Sequence, residues 1–75
     1  MSTTAPAYMI PAIKRRSAAI LARKPDKQAV IKGYTICHNK YVEAVTDGLN
    51  GISEFYISRE AYRRIAEAHG YADEL

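Results

Sequence analysis

The spacing of apolar and polar residues changes at Ser58, within the C-terminal third of the chain. Apolar and polar side chains alternate over residues 52–57, which predicts a β-strand with one buried face. Beyond Ser58 the apolar residues recur every three or four positions, which predicts a helix. Ser58 is a suitable N-cap for this helix, and Gly70 favours the left-handed conformation that commonly follows a helix C-terminus.

Two further strands are predicted upstream. Residues 29–38 and 41–46 are rich in β-branched and aromatic side chains, with a bulge at Gly33 and a tight turn at Asn39. Residues 47–51 contain two glycines and form a second turn signal before the third strand. The predicted fold is therefore a small, single α+β domain, a three-stranded antiparallel meander packed by the C-terminal helix.

The N-terminal region adds an optional helix. Isoleucine side chains share one face of residues 11–23 and most basic side chains lie on the other faces, so this stretch predicts a basic amphipathic helix that Pro25 ends. A helix this short is marginal alone, so it docks on the sheet, docks on a partner or stays largely unfolded. The chain accordingly divides into a basic leader over residues 1–28, partly disordered or a short helix, and a β-β-β-α domain over residues 29–75.

Composition narrows the setting in which the protein works. A chain of 75 residues with 48% hydrophobic side chains makes one small folded unit, in which a deep enclosed active site is difficult to build. Its single cysteine suits a reducing compartment, and no apolar run approaches membrane-spanning length, so a cytoplasmic protein is expected. The net charge of +3 combines +5 from residues 1–25 with −2 from residues 26–75, so attraction to phosphate or to an acidic partner is expected of the leader.

Few residues offer catalytic or metal-binding chemistry. Cys37, His38 and His69 are the only thiol and imidazole groups, and their spacing matches no zinc motif. On the predicted strand Cys37 and His38 face opposite sides, which leaves Cys37 with His69 as the one thiol–imidazole combination. There is no phosphate-binding glycine loop and no carboxylate pair singled out by spacing. We therefore expect no enzymatic activity, no cofactor and no metal.

The basic side chains of the leader are the first candidate binding residues. No acidic residue lies near them in sequence, so they are available to a partner protein or, alternatively, to the phosphates of a nucleic acid. Two other interpretations stay open, a mitochondrial presequence and a helix packed on its own domain. The candidates are Lys14, Arg15, Arg16, Arg23 and Lys24.

Tyrosines on the predicted sheet are the second group of candidates. Tyrosine offers a rigid apolar body with a polar tip, which protein interfaces favour. Aromatic side chains beside lysines also stack on bases, but no RNA-binding motif accompanies these tyrosines. We assign Tyr34, Tyr41 and Tyr56 to partner binding.

Three arginines on the C-terminal helix are the candidates for an alternative, nucleic-acid-binding function. Arg59, Arg63 and Arg64 form a basic cluster that would contact phosphates. Glu60 and Glu67, however, lie three or four residues from these arginines, a spacing that favours an ion-paired and solvated helix face.

These expectations lead to a ranked set of functions. The first is a non-catalytic binding module that engages a larger protein, as a small regulator or inhibitor of a nucleic-acid-processing machine such as a transcription or nuclease complex. The alternative is direct DNA or RNA binding through the leader and the helix arginines, and the third is an enzyme with an unrecognised site at Cys37 and His69.

In size and composition the chain resembles the accessory proteins by which phages and mobile elements bind host machinery. No membrane contact is expected, and an exposed edge strand would allow a homodimer.

Overall fold

Three helices form the computed structural model, which describes residues 6–48 and 50–75. The helices are α1 (Ile10–Leu21), α2 (Lys27–Asp47) and α3 (Ile52–His69). Two short 3-10 turns precede α1 and follow α3, and they are Ala7–Met9 and Ala72–Glu74. α3 is the central element, because both α1 and α2 pack against it. Within this part of the chain, no helix is long and apolar enough to cross a membrane.

The predicted α+β fold is wrong, because the described residues contain no β-strand and therefore no antiparallel meander. Residues 29–38 and 41–46, together with the turn predicted at Asn39, belong to the continuous helix α2. Residues 52–57 are the first turns of α3 and not a third strand. The edge strand that would have allowed a homodimer is consequently absent from the part of the chain that the structure describes.

α2 is helical because end signals and burial outweigh the β propensity of its side chains. The carboxylate of Asp26 accepts a hydrogen bond of 2.8 Å from the Ala29 N–H and caps the first turn, and Gly48 follows the last turn at a φ of 66°. Val30 and Ala44 are both fully buried and lie about four turns apart at 3.6 residues per turn, so they share one face. β-branched residues cost less than about 1 kcal/mol each in a helix, which packing of this face against α3 offsets.

α3 begins at Ile52, where the sequence predicts the start of the third strand. Gly51 precedes its first turn with a φ of 92°, so Ser58 lies in the second turn and is not the N-cap. The Ser58 hydroxyl instead accepts a hydrogen bond of 2.7 Å from Nη1 of Arg16, which ties α1 to α3.

The end of α3 confirms the sequence prediction at Gly70. This residue has a φ of 81°, and its N–H donates to the Glu67 carbonyl at 3.2 Å. The next residue, Tyr71, donates from its N–H to the Ala66 carbonyl at 3.0 Å, which completes a Schellman motif. The reversal brings Tyr71 back against the core, as the sequence predicted.

α1 confirms the predicted N-terminal helix and packs within the molecule. Ile13 and Ile20 are 2% and 7% exposed, and they join Val30 and Ile65 in one core. Lys24, the residue before the proline, takes a φ of 51° and so leaves right-handed helical geometry as predicted.

The core is small and lies where α1 and α2 meet α3. Besides the four residues just described it contains the buried side chains of Ala61 and Ala66. Gly33, where a bulge was predicted, lies inside α2 directly beneath the ring of Tyr62, so the absence of a side chain lets the two helices approach. Partly buried apolar side chains surround this core, and they are Met9, Ile57, Tyr62, Tyr71, Ala72 and Leu75.

Candidate functional site

An apolar groove opens where the N-terminal 3-10 turn, α2 and α3 meet. Its volume is ≈ 260 Å³, slightly below the range of about 300–1,000 Å³ that is usual for small-molecule sites. The groove suits one or two side chains of a partner better than a whole cofactor. It is lined by Pro6, Met9, Tyr41, Ile52, Ser53 and Tyr56.

Two tyrosines and an arginine organise one wall of this groove. The ring centroids of Tyr41 and Tyr56 lie 5.6 Å apart, with the ring planes tilted by 52°. The Arg59 guanidinium carbon lies 4.6 Å from the Tyr41 centroid and 5.0 Å from the Tyr56 centroid. The Arg59 side chain is only 15% exposed, and a cation–π contact with that little water is worth about 1–2 kcal/mol. Arg59 therefore holds both rings in a defined arrangement.

Arg59 is itself held by a buried polar network. Its Nε donates to Oε2 of Glu60 at 3.1 Å, and the Glu60 side chain is only 8% exposed. Nη1 of Arg63 lies 3.5 Å from the other Glu60 oxygen. Nη1 of Arg59 also lies 3.3 Å from Nδ1 of His38; a guanidinium only donates, so this nitrogen of His38 accepts. A buried carboxylate with two guanidinium partners is costly to disrupt, which keeps the tyrosine wall rigid.

The hydroxyl of Tyr56 stays protonated at neutral pH. Burial raises the pKa of this phenol above its ordinary value of about 10, and the negative charge of Glu60 acts in the same direction. Arg59 opposes the shift without reversing it. The phenol therefore offers both a hydrogen-bond donor and an acceptor at the groove.

The structure brings together two of the three predicted partner-binding tyrosines. Tyr41 and Tyr56 line the groove, although they lie on helices and not on the predicted strands. Tyr34 lies apart from them: its ring stacks on His38 with centroids 5.9 Å apart and planes nearly parallel at 4°.

The basic residues predicted to bind a partner lie elsewhere. Arg16 forms hydrogen bonds within the fold: its Nη2 donates to Glu54 at 2.8 Å, and its Nη1 donates to Ser58. None of the five candidates lines the groove. The remaining four are exposed on α1 and on the connection to α2, and they are Lys14, Arg15, Arg23 and Lys24.

The helix arginines do not form one free cationic face. The predicted ion pairs are confirmed for Arg63, which lies 3.5 Å from Glu60 and 3.9 Å from Glu67. The prediction of a solvated face is wrong for Glu60, which is buried, and for Arg59, which is largely so. Arg64 alone of the three is exposed.

The candidate catalytic residues lie in separate surroundings. Cys37 borders a second cavity of ≈ 170 Å³ together with Arg16 and Tyr62, and burial raises the pKa of its thiol above the ordinary value. Nδ1 of His69 instead lies 2.8 Å from the carbonyl oxygen of Ile65 in its own helix. Across residues 6–48 and 50–75, no three His, Cys, Asp or Glu side chains are grouped for metal binding. Cys37 and His38 are successive residues of a helix, so the predicted opposite-face arrangement of a strand is wrong.

The groove differs from the sequence prediction in the position of Arg59. The sequence predicts a nucleic-acid contact for Arg59, whereas its contacts in the structure place it behind the tyrosines. The spacing of three residues between Tyr56 and Arg59 was the available signal, since such residues are neighbours on a helix. Met9 and Ile52 carry no comparable signal, because only tertiary packing brings them to the groove.

Comparison with known proteins provides no relative on which to base a function: no family model, curated protein or solved structure matches the chain. The functional argument therefore depends on the groove and on the distribution of charge. Both follow from the described side chains.

Proposed function

We propose that this protein is a non-catalytic binding module that engages a larger protein through the groove at Tyr41 and Tyr56. The observation that carries the proposal is the Arg59 guanidinium stacked on both rings, which prepares an aromatic wall before any partner arrives. Tyrosine and arginine are enriched among the residues that dominate binding energy at interfaces, and a rigid site loses less entropy on binding.

The chemistry of the groove indicates what it would receive. An apolar or aromatic side chain of the partner fits the lining of Met9 and Ile52, and the protonated Tyr56 hydroxyl is available to a backbone carbonyl beside that side chain. We place this interaction in the cytoplasm, where the single cysteine would stay reduced.

The exposed basic residues favour a partner with an acidic surface. Residues 1–25 carry +5, and most of these charges are exposed. A surface that binds nucleic acid is itself basic and would repel these residues, so on a machine that processes nucleic acid the leader would contact an acidic region outside the nucleic-acid channel. A regulator or inhibitor of a transcription or nuclease complex therefore remains the role we propose.

A substitution at the groove entrance tests the proposal. Ile52 is 37% exposed and is the first residue of α3, where an acidic side chain is compatible with the helix dipole. Ile52→Asp should remove the apolar contact without unfolding the chain and weaken partner binding by about 10-fold or more, equivalent to about 1.4 kcal/mol. The measurement is capture of proteins from nuclease-treated lysate, followed by titration of the captured protein.

The matched control is Leu21→Lys. Leu21 is also an exposed apolar residue, at 45%, but it ends α1, where a basic side chain suits the dipole, and it does not line the groove. This variant should bind like the parent chain. Unchanged binding of Ile52→Asp, or equal loss with Leu21→Lys, would show that the groove is not the binding site.

Direct nucleic-acid binding is the second candidate function. It is favoured by the exposure of Lys14, Arg15, Arg23 and Lys24 and by the lack of acidic residues before Asp26. The helix arginines argue against this function, because Arg59 and Arg63 already pair with Glu60. The same capture experiment separates the two functions, since everything bound through phosphates disappears with nuclease and weakens steeply with salt.

A further inference from the structure

The cavity of ≈ 170 Å³ beside Cys37 is lined by all three helices and shares no residue with the groove. Its volume is well below the range of about 300–1,000 Å³ for small-molecule sites, so it is too small for a nucleotide. A phosphate group has five heavy atoms and, at about 30 Å³ for each water-sized unit, needs about 150 Å³. We call this space the three-helix cavity, and its polar lining residues are Arg16, Arg23, Cys37, Ser58 and Tyr62.

The lining of the three-helix cavity is electropositive. Each of its polar side chains can donate a hydrogen bond, none of them is a carboxylate, and the other two lining residues are apolar. Arg16 and Arg23 supply two positive charges. Burial raises the pKa of the Cys37 thiol, and the charges that act on this pKa, those of Arg16 and Lys40, are both positive. The cavity therefore attracts an anion.

Arg16 is fixed at the cavity and retains donors for a ligand. Its bonds to Glu54 and Ser58 use two of the five N–H groups of the guanidinium. Within residues 6–48 and 50–75 the other three N–H groups have no acceptor. The Ser58 hydroxyl accepts from Arg16, which leaves its own proton to be donated to a ligand. Glu54 lines a neighbouring cavity with Arg15 and not the three-helix cavity, so its carboxylate orients Arg16 without occupying the space.

We propose that the three-helix cavity binds a single phosphate group, as free phosphate or as the terminal phosphate of a small monoester. A tetrahedral phosphate has four oxygens that point in different directions, which suits donors carried by different helices, Arg16 on α1 and Ser58 on α3. A carboxylate has only two oxygens in one plane. Arginine is favoured at phosphate sites, because its planar set of donors matches two oxygens at once. A backbone phosphate of nucleic acid continues on both sides of the phosphorus, which a cavity of this volume does not accommodate.

The thiol of Cys37 reports on the cavity, because Cys37 is the only cysteine of the chain and lines this space. A cysteine thiolate displaces iodide from iodoacetate, which is an anion, and from iodoacetamide, which is neutral. The ratio of the iodoacetate rate to the iodoacetamide rate should be about 3-fold or more higher in the folded chain than in the same chain unfolded in urea, since the folded cavity attracts the anion.

Competition then measures phosphate binding without any partner protein, so the result does not depend on the groove function. Inorganic phosphate or glycerol 3-phosphate should slow the reaction of iodoacetate with the folded chain, with half-inhibition at about 1 mM. Ionic strength is held constant with sodium chloride, so that general screening does not change. The tighter of the two competitors shows whether free phosphate or a monoester is the ligand.

Arg23→Met is the test variant, and Lys14→Met is its matched control. Both residues are exposed and either change removes one positive charge from the N-terminal region, but only Arg23 lines the cavity. Arg23→Met should raise the phosphate concentration for half-inhibition about 10-fold or more, because a charged donor is lost. Lys14→Met should stay within about two-fold of the parent chain. Circular dichroism checks that both variants remain helical.

Three results would overturn the proposal. The first is that the parent chain shows no inhibition up to about 20 mM phosphate, far above the expected Kd. The second is an equal loss of inhibition in the two variants, which would indicate a general effect of charge. The third is protection by dimethyl phosphate, a diester, that equals protection by glycerol 3-phosphate, which would indicate recognition of backbone phosphates and not of a terminal group.

Discussion

Gly33 and the Tyr62 ring set how closely α2 and α3 approach. A Cβ built at Gly33 would lie 2.5 Å from Cε1 and 2.9 Å from Cε2 of that ring, closer than carbon atoms pack. Gly33→Ala should therefore destabilise the protein by about 1–2 kcal/mol, because the cost of overpacking exceeds the gain of about 1 kcal/mol that alanine normally brings inside a helix. Urea denaturation of the two chains measures the difference in free energy of unfolding.

The same substitution behaves differently once the ring is gone. In a Tyr62→Leu background the tight contact is absent, so Gly33→Ala should be neutral or stabilising by up to about 1 kcal/mol. This change of sign between backgrounds is the signature of a direct contact. If Gly33→Ala stabilised the parent chain, the close approach of the ring would be wrong.

Residue-level chemistry explains which candidate side chains the sequence could identify. Tyr41 and Tyr56 are predicted interface residues because tyrosine suits interfaces, and both line the groove. Their proximity was not predictable, since it depends on two helices that were interpreted as strands. The three-residue spacing of Tyr56 and Arg59 indicates their contact only if both residues lie on one helix, so a strand predicted over residues 52–57 conceals it.

Among the elements, α3 shows how one local signal determines a helix end. Gly70 has a φ of 81°, and a Cβ there would meet no atom within 4 Å, so the cost of a side chain would be backbone strain alone. Gly70→Ala should lower the free energy of unfolding by about 1 kcal/mol, whereas Gly70→Asn should lose less, because asparagine tolerates left-handed angles. Thermal denaturation of the three chains provides the comparison, and equal loss in both variants would contradict a purely conformational origin.

The sequence predicts a helix end where a single residue dictates the backbone conformation. It did not predict whether the residues of α2 form a helix or strands. Gly70 and the proline after Lys24 act through local geometry, so the ends of α3 and α1 followed from the sequence. α2 was predicted as strands because valine, isoleucine, threonine and tyrosine favour sheets, yet its apolar residues at Val30 and Ala44 also fit a helical period. Asp26 is a sequence signal for the helix, because its carboxylate caps the first turn. Burial of Val30 and Ala44 against α3 then offsets the weak β propensities.

At the scale of the whole molecule, the groove and the core depend on the same three-helix arrangement. Met9 reaches the groove from the N-terminal turn, Tyr41 from α2 and Tyr56 from α3. α1 also buries Ile13 and Ile20 against α3. The N-terminal region therefore contributes to folding and to the proposed site, in addition to its positive charge.

Deletion of residues 1–24 should consequently abolish cooperative folding and not merely remove charge. A chain of this length is stabilised by about 4–11 kcal/mol, and losing two buried isoleucines costs about 2–5 kcal/mol for each side chain. The measurement is thermal unfolding followed by circular dichroism, and the truncated chain should lack a sharp transition. The control is Lys14→Ala with Arg15→Ala, two exposed positions on α1 whose loss should leave the transition within a few degrees of the parent. A truncated chain that still melts cooperatively would show that α2 and α3 form a stable core without α1, and the groove would then have to be sought on that pair alone.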